Sequence, residues 1–373
     1  QTIFDEAQSL VVPVTGPQFG LLELKQFIDD SQTSLRIQLY QLQDAYLVQA
    51  LLDALQRGVS VELMLDPGCN NCNIWSETDL QYKNDFAYTL IQAGATVYEF
   101  NTGSNEPYLY LHSKVVVRDL DSIWISSGNW KSSSIPAPGV RGNVEWSVII
   151  ENPELAGMVN QQFNLDIYWS EEMSLSDYEP YTFNTPDSIS GGGVQSTIQA
   201  SIAGELVTCP ENCVDKITNF IRSAESEVLL SQQTLDVDWS YGWGDENPII
   251  SALHDVATDG VSVHLIINGA YLDDDDQEVV DLFNEVWNGS EGLDTSAIVM
   301  SEDDDVSKLH NKGIIVDQES VLVSSINMGS SAMNRNREMG VIIHSPIVTQ
   351  FYLDGWHADW MRLDNVTDTD QDT

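Results

Sequence analysis

The chain has 373 residues, 42% of them hydrophobic, which suffices for one large or two smaller packed domains and argues against global disorder. Lys and Arg number 15 against 58 Asp and Glu, and the resulting net charge of −43 works against long-range attraction of a polyanion. No apolar stretch approaches the length needed to span a bilayer.

An acidic balance this extreme suits solvation in high salt, where surface charges are screened within a few ångströms. The runs Asp273–Asp276 and Glu302–Asp305 fit a solvated face and lack the ligand and glycine spacing of a calcium loop. The start at Gln1 rather than Met points to removal of an upstream segment of either kind, signal peptide or anchor; a secreted or extracytoplasmic, high-salt setting is expected from the cysteine pairs below and from the charge. Cys69/Cys72 and Cys209/Cys213 read first as two short-loop disulfides; one four-thiolate zinc site or a redox dithiol are the alternatives.

In chain order, Ser34–Tyr40 (SLRIQLY) reads as an apolar strand, Tyr46–Arg57 as an amphipathic helix, and the stretch from Gly58 (GVSVEL) as a second strand. Next come LHSKVVVRD at 111–119, SIWISSGN at 122–129, and Glu145 within an apolar strand. A segment carrying Pro180, Pro186 and Gly191-Gly192-Gly193 reads as a linker. The series then repeats: strand Glu227–Gln232, helix Ile249–Asp259, GVSVHL from Gly260, LHNKGIIVD at 309–317, SVLVSSIN at 320–327, and Glu338 in a final strand. Strand, helix, strand, twice, implies parallel sheets with crossover helices. The expected organisation is a first domain over 1–175, a linker over 176–199 and a second domain over 200–373, related by a pseudo-two-fold axis.

On a strand, residues i and i+2 share a face. His112 and Lys114 therefore project together, as do His310 and Lys312, while Leu111, Val115 and Leu309 suit a core. Ser127/Asn129 and Ser325/Asn327 recur at fixed offsets from each histidine. Converged on one cleft, lysine and asparagine side chains would hold phosphate oxygens and stabilise transition-state charge. One histidine could attack phosphorus to give a phosphohistidine, and the other could protonate the leaving oxygen and then deprotonate water. Glu145 and Glu338 would orient the imidazoles. A lone His-x-Lys means little, but two copies with matched Ser, Asn and Glu are hard to obtain by accident. His254, His264, His344 and His357 read as surface or packing residues.

The paired HxK(x)4D pattern, His112/Lys114/Asp119 and His310/Lys312/Asp317, resembles the phospholipase D superfamily. The resemblance runs through both halves. It implies an α/β fold of two tandem sandwich domains with mostly parallel sheets flanked by helices, one shared site, a phosphohistidine intermediate, and no cofactor or metal. It also implies that Ser127, Ser325, Asn129 and Asn327 complete the phosphate-binding motifs. It favours His112 as nucleophile and His310 as acid/base, and makes Asp119 and Asp317 structural, capping the turn that follows. Gly128 stands where the second copy has Ile326, a departure that would leave one wall roomier.

Three functions follow as expectations. The first is a nuclease acting on single-stranded nucleic acid, with Trp124, Trp130, Trp146, Trp239 and Trp243 offering stacking faces. The second is a phospholipase D or phosphatidyl transferase, with Thr234–Asn247 touching a lipid interface. The third is a non-catalytic phosphate-binding module. A monomer without a stable protein partner is expected.

Overall fold

The computed structural model describes residues 2–68, 75–189, 191–239, 247–270, 274–303 and 305–369. The first half runs β1 (Ile3–Thr15), α1 (Gly20–Asp29), β2 (Ser34–Leu39), α2 (Ala45–Arg57), β3 (Ser60–Leu65), α3 (Glu77–Gln92), β4 (Thr96–Phe100), β5 (Lys114–Arg118), β6 (Ser122–Ser126), β7 (Gly142–Val144), β8 (Trp146–Glu151), α4 (Pro153–Ile167) and β9 (Ser170–Glu172). The second runs β10 (Ile198–Cys209), α5 (Cys213–Arg222), β11 (Glu227–Gln232), α6 (Pro248–Thr258), β12 (Ser262–Asn268), α7 (Asp274–Asp281) with a π-helical continuation over Leu282–Glu291, β13 (Thr295–Met300), β14 (Val306–Leu309), β15 (Lys312–Val316), β16 (Ser320–Ser324), α8 (Ser330–Arg335), β17 (Glu338–His344) and α9 (Pro346–Thr369).

The repeat is visible in how each crossover helix ends. Gly58 after α2 and Gly260 closing the turn after α6 adopt φ of 91° and 95°, a left-handed conformation that suits glycine and turns the chain back into β3 and β12. Asp44 and Asn247 cap the starts of α2 and α6 by accepting from backbone N–H groups.

Fifteen of the described strands form one sheet, in the order β13-β12-β11-β15-β16-β17-β10-β1-β8-β6-β5-β2-β3-β4-β9. Antiparallel pairing of β1 with β10 joins the halves, and the order read outward from that seam is the same on both sides except that β9 adds an outermost strand to the first half. Each half has the α/β composition the sequence implies, but the expectation of mostly parallel sheets is corrected. Parallel pairing in this sheet is confined to β2-β3-β4 and β11-β12-β13, where helices make the crossovers. The remaining neighbours are antiparallel, because the motif strands pair as hairpins that need no crossover.

Alternation on the strands divides the core. Val116 and Leu35, Ile37 and Leu39 face a cluster with α1 and α2, whereas Val115 and Val117 face a central cluster shared with the second half. Tyr352 and Trp356 of α9 and Leu155 and Val159 of α4 complete that central cluster. Residues 178–189 of the expected linker have no regular structure, yet Tyr178, Phe183 and Ile189 pack against the α1/α2 cluster. No helix among the described residues is long and apolar enough to cross a membrane.

Candidate active site

Each HxK motif sits where a motif strand begins. His112 precedes β5, and Lys114 opens it; His310 precedes β15, and Lys312 opens it. Each histidine is tied to the opposite half. The His310 N–H donates to Val144 O at 3.0 Å, next to the parallel pair β7–β14. The His112 N–H donates to Arg337 O at 2.8 Å, beside the Leu111–Arg337 bridge. These ties cross the glutamates over between the repeats. Glu145 of the first half lies 2.8 Å from His310 Nδ1, and Glu338 of the second half lies 2.8 Å from His112 Nδ1. With Nδ1 facing a carboxylate, Nε2 is the ring nitrogen left for chemistry on both histidines.

A cleft of about 450 Å³ is lined by both imidazoles together with Asn129 and Asn327. The amide oxygens of both asparagines are buried without a hydrogen-bond partner among the described residues, which leaves polar capacity for a ligand. Lys114 and Lys312 are fully buried, and each ammonium donates to the carbonyl of its own motif histidine. Lys312 also donates to Gln233 at 2.7 Å, while Lys114 lies 5.4 Å from the centre of the Tyr40 ring.

Ser127 and Ser325 differ from the expectation that they bind phosphate. Both are wholly buried, and their hydroxyls donate to Glu145 and Glu338 at 2.5 Å. They hold the carboxylates that face the histidines. Asp119 and Asp317 are structural, but they cap a different turn from the one expected. Asp119 accepts from the backbone N–H groups of Gln32, Thr33 and Ser34 at 2.7–2.9 Å, and Asp317 accepts from those of Glu225, Ser226 and Glu227 at 2.7–3.0 Å. Each therefore fixes the entry to β2 or β11. They do so from tight hairpins in which Asp119-Leu120 and Asp317-Gln318 all have positive φ. Gly128 does not widen the cleft; an added Cβ would lie 3.3 Å from the Glu145 carboxyl carbon.

Other expectations are also corrected. Trp124, Trp130, Trp146 and Trp239 are core residues rather than stacking faces, and Trp243 lies outside the described residues. Within Thr234–Asn247, Leu235 and Asn247 are buried, and 240–246 lie outside the description. Cys209 and Cys213 form a disulfide, which removes them from a zinc site; Cys69 and Cys72 lie outside the described residues. Seven cleft residues were not picked out from sequence: Tyr40, Gln41, Tyr110, Lys131, Gln233, Lys308 and Asn336. The signal was the same period of two, taken one step further: Tyr110-His112-Lys114, Lys308-His310-Lys312 and Asn129-Lys131.

Electrostatics follow from burial. Loss of hydration pushes His112 down to about 4 against the pull of Glu338, and pushes His310 well below the usual imidazole range against that of Glu145. Burial likewise lowers Lys114 to about 7 and Lys312 well below the lysine range. Burial opposes ionisation of Glu145, but His310 and Lys312 outweigh it and hold the carboxyl at about 2. Glu338 is also lowered overall, by His112 and Lys114 against its burial. With neutral imidazoles, two carboxylates face two ammonium groups, so the buried set is balanced before an anion enters.

The model of the family described as "Cardiolipin synthase, PLD-like domain" matches residues 24–167 and again 217–360, once in each half. The chain belongs to the phospholipase D superfamily. A phospholipase D of Rickettsia conorii is 26% identical over 161 residues, which is 43% of this chain and 70% of that protein. The phosphatidylserine synthase of Haemophilus influenzae shares the fold, with a TM-score of 0.66 at 12% identity, covering 95% of this chain and 88% of that one. A polyphosphate kinase from Porphyromonas gingivalis aligns over 94% of this chain and 50% of its own, with a TM-score of 0.56 at 14% identity. Superfamily membership makes the chain an enzyme of the phosphodiesterase type.

Proposed function

We propose that the chain cleaves phosphodiesters through a covalent phosphohistidine and that its substrates are phospholipid-type glycerophosphodiesters. The observation that carries the chemistry is the crosswise pairing of His112 with Glu338 and His310 with Glu145 around one cleft. One neutral Nε2 attacks phosphorus while the opposite imidazolium gives its proton to the departing alkoxide. Water, deprotonated by that second imidazole, then attacks phosphorus and releases the first histidine. Lys114, Lys312, Asn129 and Asn327 favour the charge that grows on the non-bridging oxygens. By its motif position, His112 is the nucleophile.

Two points support a lipid headgroup over nucleic acid, against the order drawn from sequence alone. The curated relatives are phospholipases D by name. In addition, basic side chains outside the cleft such as Arg36, Arg118, Lys216 and Arg222 contact carboxylates, so no free basic track among the described residues leads a polynucleotide in. Single-stranded nucleic acid is the second reading, on the strength of Tyr40 and Tyr110 in the cleft wall.

The test is alkaline quench of a reacting mixture followed by peptide mass spectrometry, run with phosphatidylglycerol vesicles and with a single-stranded oligonucleotide in EDTA. A phosphoryl adduct on the His112 peptide, lost in both His112→Ala and His310→Ala, is expected with the vesicles. Turnover that persists in either variant would contradict the shared site. Cleavage of the oligonucleotide alone would restore the nuclease.

A further inference from the structure

The two halves repeat the reacting groups but not what holds them. Laying Gly58-Val59-Ser60-Val61 on Gly260-Val261-Ser262-Val263 places Asp66 opposite Asn268. Both stand at the C-terminal end of a parallel strand, β3 or β12, and both turn back on the residue two further along. Asp66 Oδ1 accepts from the Gly68 N–H at 2.8 Å, and Asn268 Oδ1 accepts from the Ala270 N–H at 3.4 Å. Asp66 does one thing more. Its Oδ2 accepts from the Leu111 N–H at 2.8 Å, so a fully buried carboxyl group fixes the residue before His112. The second copy holds Leu309 by pairing β14 with β7 instead. An amide closes the turn in the second half, so what a carboxyl adds in the first half is charge, at the cost of burying it.

The two lysines differ to match. The ladder registers Leu39–Lys114 and Gln232–Lys312 carry Tyr40 onto Gln233. Lys312 donates to His310 O and to Gln233 Oε1. Among the described residues Lys114 donates to His112 O and otherwise lies over the Tyr40 ring, 5.4 Å from its centre, which leaves ammonium donors for a ligand. Burial lowers Lys114, and Glu338, Glu145 and Asp66 oppose that while Lys131 adds to it. Burial also lowers Lys312, where Glu145 pulls the other way and Lys114 and Lys308 push further down as like charges.

The groups facing Asp66 are Lys83 of α3, Glu99 of β4, Tyr40 just beyond β2, Tyr110 before β5, and Lys114. Lys83 is shared with Glu99, 2.8 Å from it. Burial pushes Asp66 up to about 7 against its two backbone donors and Lys83, so the carboxyl is mostly neutral at pH about 6 and mostly ionised at pH about 8.

We propose that Asp66 is a positioning residue peculiar to the first half: by fixing Leu111 and supporting the Lys114 cation, it makes Lys114 rather than Lys312 the principal ammonium that grips the phosphoryl oxygens. This rests on the phosphodiesterase reading above. The sign follows from the charge. Above pH about 7 the ionised carboxylate helps Lys114 keep its proton, so its removal moves the alkaline limb to lower pH. Below that pH the wild-type carboxyl is already neutral, and its replacement by an amide changes little.

The experiment measures kcat/KM for bis(4-nitrophenyl) phosphate at pH about 6 and about 8 in the wild type, Asp66→Asn, Lys114→Gln, Lys312→Gln and the Asp66→Asn/Lys114→Gln pair. Asparagine keeps the acceptor for Leu111. Asp66→Asn should stay within about threefold of wild type at the lower pH and fall about tenfold at the higher. Lys114→Gln should cost at least about tenfold more than Lys312→Gln, and adding Asp66→Asn to it should change the higher-pH rate by less than about twofold. An equal loss at both pH values makes Asp66 scaffold alone and overturns the proposal, as does a higher-pH rate within about twofold of wild type or a larger cost at Lys312. The lysine comparison stands by itself if Asp66→Asn does not fold. Hydrolysis of no diester by the wild type rejects the phosphodiesterase reading instead. Calorimetric titration with sulfate, whose charge is constant over this range, then decides Asp66 by the same pH-selective loss, read in affinity.

Discussion

Replacing Glu145 by Gln tests the crosswise pairing most directly. The carboxylate lies 2.8–2.9 Å from His310 Nδ1, and both side chains are buried. With charge centres about 4 Å apart and an effective dielectric of about 20, the carboxylate favours the imidazolium by about 4 kcal/mol. The amide keeps the shape and part of the hydrogen bonding to Ser127 and Asn143, so the realised loss is about half of that, or roughly 30-fold in kcat. The sign is fixed: without the carboxylate, His310 holds a proton less well, and the alkaline limb of kcat moves to lower pH. The assay is the pH–rate profile of bis(4-nitrophenyl) phosphate hydrolysis in Glu145→Gln, with Glu145→Asp recovering part of the rate. The same change at Glu338 should act through His112. A kcat within about threefold of wild type, with an unmoved limb, would refute the argument.

Further expectations concern charge and scaffold. In the free enzyme, kcat/KM should rise as pH passes about 4, where His112 becomes neutral, and fall on the alkaline side as His310, held well below the usual imidazole range, and then Lys114 at about 7 lose their protons; a flat profile from pH about 5 to about 8 would contradict these assignments. Asp119→Ala should lower stability by about 2–4 kcal/mol in urea titration, because three backbone donors lose a charged acceptor, while kcat below the transition changes by less than about threefold. Arg337→Met should cost about 3–5 kcal/mol by the same measurement, since it strands Asp166 and Glu211, now 2.5–3.0 Å from the guanidinium, with Asp166 fully buried. Raising KCl from about 0.1 M to about 3 M should lower KM for an anionic diester and raise Tm, with the opposite trend in both counting against a role for the −43 charge.

Several features were legible in the sequence for identifiable reasons. The Gly-Val-Ser-Val repeat marks a left-handed helix exit, a local requirement that does not depend on tertiary partners. The His-x-Lys pairs declare a polar strand face because the strand period is local too. What stayed hidden was pairing. Nothing in the spacing of Glu145 says that it serves His310 rather than His112, since that depends on β7 lying beside β14 across 165 residues. The same limit explains the sheet. Parallel crossovers are announced by helices in the sequence, whereas the long antiparallel seam of β1 with β10 comes from two strands that were not recognised as such. The tryptophans misled because aromatic character alone cannot separate a core side chain from a cleft wall: Trp124 and Trp130 are sealed, and Tyr40 and Tyr110 line the site.

The charge distribution links scaffold and site. A net charge of −43 repels an anionic substrate out to about the Debye length of its solvent and attracts it at no distance, so capture cannot depend on steering from afar. Attraction has to come from groups that act at contact, and the lysines of the cleft are such groups. Salt screens the exposed carboxylates much more than it screens ammonium groups sunk in protein, so added salt removes the repulsion and spares the binding. A protein that grips a polyanion along an exposed basic track behaves the other way, losing affinity with every increment of salt. The salt dependence of KM therefore separates a substrate held only at the cleft from one held along the surface. With basic residues outside the cleft paired, among them Arg36 with Glu62 and Lys216 with Glu205, the first behaviour is the one expected of this chain.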